Sequence, residues 1–60
     1  MATLRARVAE EIVLELRAEG HHAREESKSH TLSESDRQRR AIEGDVLLWA
    51  ATRVEERYAR

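Results

Sequence analysis

The chain contains no cysteine, no proline and no phenylalanine, and only two glycines. Without cysteine there is neither a disulfide nor a thiolate metal site. Without proline nothing forces a helix, once begun, to kink or stop. Aromatic residues make up 3% of the chain, Trp49 and Tyr58 alone. No apolar run approaches the roughly 20 residues that cross a bilayer, so no membrane partner is expected. The opening "MATLRARVAEEIV" is charged through its first turns and lacks the apolar centre of a signal peptide, which reads as cytoplasmic. There is no internal repeat, no glycine-rich phosphate loop and no β-type alternation of useful length.

What is present is charge and helix-forming residues. Of 60 residues, 38% are charged and 40% hydrophobic, and 11 basic against 12 acidic residues leave a net charge of −1. That balance draws the protein toward neither a polyanion nor a membrane surface. Residues 1–60 make a single domain. A domain this small buries only about 60% of its unfolded surface. With no disulfide or metal to brace it, a partner chain is the remaining device. Ten of the 11 basic residues are arginine, the usage of a GC-rich coding sequence and in keeping with a bacterial protein.

The spacing predicts two helices. In the first, about 3–19, Leu4, Val8, Ile12 and Leu16 recur every four residues, and Ala9 and Val13 widen the stripe. Thr3 suits the N-cap, and Gly20 suits a left-handed residue just past the end. A polar connection, about 20–32, follows as "GHHAREESKSHTL". It is long for a helix–helix loop, and "HAREESK" could extend the helix. The second helix, about 33–59, starts at a capping box, either Ser33 with Asp36 or Thr31 with Glu34. Its apolar positions are Ile42, Val46, Trp49, Ala50, Val54 and Tyr58, with Leu47 and Ala51 on the adjoining flank. Gly44 costs about 1 kcal/mol in a helix interior; it either admits another helix closely or marks a bend. Pairs of opposite charge at i,i+4 are Arg7–Glu11, Asp36–Arg40, Arg39–Glu43 and Glu56–Arg60.

The fold class is therefore all-α: a two-helix antiparallel hairpin, dimerising into a four-helix bundle. On these boundaries the second helix overhangs the first, leaving Val54 and Tyr58 uncovered, and Leu14 and Leu48 point away from the two stripes. The expected core and interface residues are Val8, Ile12, Leu16, Ile42, Val46, Leu47, Trp49, Ala50, Val54 and Tyr58. Trp49 carries the most weight, as the largest residue of a small core or as the anchor of a binding hot spot.

Candidate chemistry is sparse. His21, His22 and His30, near Glu25 and Glu26, match no zinc spacing, and no metal or cofactor is expected. Arg37, Arg39 and Arg40 form "DRQRR", but Asp36, Glu34 and Glu43 neutralise the same turns and no aromatic residue interleaves, so nucleic acid is disfavoured. The pairs Glu10–Glu11, Glu25–Glu26 and Glu55–Glu56 diverge by about 100° on a helix and do not converge on a substrate. No nucleophile–base set exists, and the protein is not expected to be an enzyme.

"LRARVAEEIVLELR", a polar spacer and "LSESDRQRRAIEGDVL" together resemble the N-terminal helical region of actinobacterial Tad-type pilus secretion ATPases. The matching positions are Val8, Ile12, Leu16, Leu32, Ser33, Asp36, Ile42 and Val46. The resemblance implies a helical assembly or docking appendage. It does not extend to a nucleotide-binding domain, so ATPase activity is not implied.

These readings converge on a small, non-catalytic helical interaction or adaptor module that forms a homodimer through its apolar helix faces. The first alternative is a regulator of antitoxin or inhibitor type that folds on a larger protein target. The second, a DNA-binding helical protein, is disfavoured by the long connection and by the charge balance.

Overall fold

The computed structural model describes residues 3–58. It contains two helices, α1 (Leu4–Glu26) and α2 (Glu34–Tyr58), packed against each other as an antiparallel hairpin. The Cα trace measures 47 × 14 × 9 Å, one helix long, two helices wide and one layer thick.

Each helix begins at a side-chain cap. The Thr3 hydroxyl accepts the Ala6 N–H at 3.1 Å. The Ser33 hydroxyl accepts the Asp36 N–H at 3.1 Å, which decides between the two candidate capping boxes. Each contact satisfies one of the donors that a helix N-terminus leaves unpaired. Glu34 and Asp36 in the first turn of α2 also face the positive end of its dipole.

The first helix is longer than its sequence suggests. Gly20 does not end it, and no glycine has a positive φ. α1 continues through His21, His22 and Ala23 to Glu26, and the connection shrinks from about 20–32 to 27–33. The Ser27 N–H closes the helix on the Ala23 carbonyl at 3.0 Å, and its hydroxyl donates to the Arg24 carbonyl at 2.6 Å. Ser29 and Thr31 hydroxyls bond each other at 2.8 Å across the turn. Because α1 has 23 residues and α2 has 25, the expected overhang of α2 disappears.

Gly20 stays helical because it lies against α2. A Cβ there would stand 2.8 Å from Leu48 Cγ and 3.2 Å from the Gly44 carbonyl oxygen. A Cβ on Gly44 would stand 2.9 Å from the Gly20 carbonyl oxygen and 3.2 Å from the Arg24 nitrogen. The two glycines thus let the backbones meet, and the loss in helix propensity is offset by that approach. Of the two roles open to Gly44, it takes the first. Leu48, expected to point away from the partner helix, is half-buried over Gly20.

The interior is built from small residues. Ala9, Val13, Ala23 and Ala51 are the buried hydrophobic residues, with Gly20 and Gly44 between them. Among the described residues no large side chain is fully buried and no buried side-chain polar atom lacks a partner.

Candidate functional site

The hairpin has two flanks of different chemistry. Along one, ion pairs stitch the helices together: Arg17 to Glu55 at 3.0 Å and Arg24 to Asp45 at 2.7 Å. Leu14 stands exposed on that side, beside Glu10, Arg17 and Glu55. The pairs are partly exposed and contribute little each, typically under about 1 kcal/mol, but they clothe the flank in charge.

The opposite flank is divided along its length. Toward the open end, where α1 begins and α2 finishes, Leu4, Val8, Ala9, Ile12, Val54 and Tyr58 line a shallow apolar groove of about 460 Å³, with Arg5 as its one charged member. Arg5 and Arg57 stand with Thr3 and Tyr58 at the rim of that end. Toward the turn the same flank becomes polar, lined by Ala18, Glu19, His22, Ala23, Arg40 and Glu43. There Arg40 reaches across to Glu26 at 3.2 Å and along α2 to Glu43 at 3.1 Å. His22 meets Glu26 at 2.6 Å. Arg40 therefore binds α1 and Glu43 instead of the expected Asp36. Arg53 pairs with Glu56 at 4.0 Å. The expected Glu56–Arg60 pair involves a residue outside the described range.

The division follows from the helical period. On α1, Val8 and Ile12 fall to one side of the buried line Ala9–Val13–Gly20, and Arg17 and Arg24 fall to the other. On α2, Val54 falls beside Ala51 on the groove side. Ile42, Val46 and Trp49, spaced i, i+4 and i+7, fall on the face turned away from α1. They are among the most exposed large apolar residues, Ile42 and Trp49 at 64% each. Arg53 places its guanidinium 5.7 Å from the Trp49 ring centroid.

The ten expected core and interface residues therefore separate into three groups. Val8, Ile12, Val54 and Tyr58 share the groove, and Leu16, Leu47 and Ala50 are half-buried. Ile42, Val46 and Trp49 lie elsewhere. Trp49 as a core residue of the hairpin itself is corrected by its exposure: the helices approach too closely at Gly20 and Gly44 for bulk between them. The residues that do fill the interface, Ala9, Ala23 and Ala51, are small, and their signal was the helical spacing of small residues, Gly20 with Ala23 at i,i+3 and Gly44 with Ala51 at i,i+7. Among the described residues no group of three or more His, Cys, Asp or Glu side chains is placed to hold a metal ion. No described helix is long and apolar enough to cross a membrane.

The arrangement defines an all-α helical hairpin with an apolar half-flank. Comparison with family models, curated proteins and solved structures finds no match to this chain.

Proposed function

We propose that this protein is a small non-catalytic interaction module that self-associates through its apolar helix faces, with two hairpins building a four-helix bundle. The observation that carries the proposal is the inversion of size between inside and outside. Alanine, glycine and one valine occupy the buried positions, while Leu4, Val8, Ile12, Ile42, Val46 and Trp49 are exposed. At about 25 cal/mol per Å², small side chains supply little of the apolar burial needed to offset chain entropy. A second chain placed over part of this larger set supplies more of that burial.

Sedimentation equilibrium over a graded concentration range, with circular dichroism at each point, tests this. A helical dimer is the expected result. A helical monomer at every concentration overturns it.

A second reading draws on the Ile42–Val46–Trp49 face. It points away from α1 and presents the spacing by which an amphipathic helix enters a groove. In that reading the chain is a regulator that folds on a larger protein, and the isolated chain is a largely unfolded monomer. The same measurement separates the two.

A further inference from the structure

We propose that the second copy seats on the open-end half of the apolar flank, antiparallel to the first, so that the two turns lie at opposite ends of the dimer. The proposal rests on the self-association argued above and specifies its surface and direction.

Area and charge carry it. A compact monomer of 7.0 kDa exposes about 4,000 Å² by mass scaling. This hairpin exposes 4990 Å², about 1,000 Å² more. That excess is close to the roughly 800 Å² that each partner contributes to a stable interface. The groove lined by Leu4, Val8, Ile12, Val54 and Tyr58 is a concave surface with Arg5 as its one charged member, whereas the opposite flank is occupied by ion pairs.

Charge then sets the direction. The groove end carries Arg5, with Arg57 at its rim. The turn half of the same flank carries Glu19, Glu26 and Glu43 around one arginine, Arg40. A parallel pair sets Arg5 beside Arg5 and the glutamates beside glutamates. An antiparallel pair, with its two-fold axis near Ile12, sets Ile12 against Ile12, Val8 against Leu16 and Arg5 against Glu19. Like charges are separated and opposite charges adjoin, the arrangement that fixes register in paired surfaces. The outer Ile42–Val46–Trp49 face stays uncovered.

The absence of native cysteine makes the test direct. A His30→Cys variant carries one spin label per chain at the exposed turn. Ile12 and Glu26, the last residue of α1, are about 21 Å apart along the helix axis at 1.5 Å per residue, and His30 lies beyond that end in the turn. Pulsed dipolar spectroscopy is therefore expected to give a label separation of more than about 40 Å, twice that distance. A separation within about 25 Å, the width of two adjoining hairpins, overturns the antiparallel arrangement and leaves self-association standing. A labelled chain that stays a helical monomer overturns both. Ile12→Glu is expected to weaken dimerisation at least 10-fold and Leu14→Glu to leave it unchanged. Retention of the dimer in a folded Ile12→Glu variant, with loss in Trp49→Glu, would move the contact to the outer face and overturn the proposed surface.

Discussion

Gly44 sits where backbone meets backbone. A methyl group there gains about 1 kcal/mol of helix propensity, but it would lie 2.9 Å from the Gly20 carbonyl oxygen, and a carbonyl cannot move without separating the helices. Overpacking of this kind costs about 1–3 kcal/mol. At Gly20 the closest atoms are Leu48 Cγ and Cδ2, side-chain atoms with more freedom than a carbonyl, and the Gly44 carbonyl oxygen stands farther off at 3.2 Å. Gly44→Ala is therefore expected to lower the thermal midpoint, and Gly20→Ala to lower it less or not at all. The order of the two midpoints by circular dichroism checks the claim. Trp49 provides the contrast. As a core residue its truncation would cost about 3–5 kcal/mol. Exposed, with only the Arg53 guanidinium over its ring, Trp49→Ala is expected to change stability by under about 1 kcal/mol. Urea unfolding at a fixed chain concentration measures it.

At the scale of the element, the sequence was legible wherever a signal was local. Two helices, the caps at Thr3 and Ser33 and the period of the apolar positions were all readable in it. The boundary at Gly20 was not, because a glycine after an apolar stripe has two meanings. It ends a helix when it adopts a left-handed conformation, and it continues one when another backbone must come close. The choice depends on Gly44, far away in sequence. The same non-local fact hid the interior: a wide apolar stripe announces a face but not which edge of it meets the partner helix. Alanine at Ala9, Ala23 and Ala51 won the central positions, and the larger side chains moved to the edges. The caps are expected to matter in the usual measure. Ser33→Ala and Thr3→Ala should each cost about 1 kcal/mol, while Ser35→Ala, one turn position away and exposed, should cost little. Thermal unfolding of the three variants side by side provides the comparison.

For the whole molecule, shape and stability are coupled. A body 47 Å long and a single helix layer thick has little interior for its surface. If self-association supplies the missing burial, folding draws on chain concentration by mass action. The thermal midpoint is then expected to rise with concentration, by several degrees per tenfold for a domain of this size, and a concentration-independent midpoint would count against the dimer. Added salt is expected to act weakly on the hairpin itself, because the ion pairs of the charged flank are partly exposed and screened.

The antiparallel hairpin also implies an order of assembly. Partners near the turn, Arg24 and Asp45, are 21 residues apart in sequence, whereas Arg17 and Glu55 near the open end are 38 apart. Loop closure costs more for the second pair than for the first, so the helices zip from the turn outward and fray from the open end inward. The apolar half-flank therefore lies on the part of the chain that closes last and opens first. Amide hydrogens of residues 47–58 are expected to exchange fastest within α2 in dilute solution and to slow as concentration rises, while those of residues 37–44 change less. The surface that recruits a second copy would then be the same segment that the second copy holds folded.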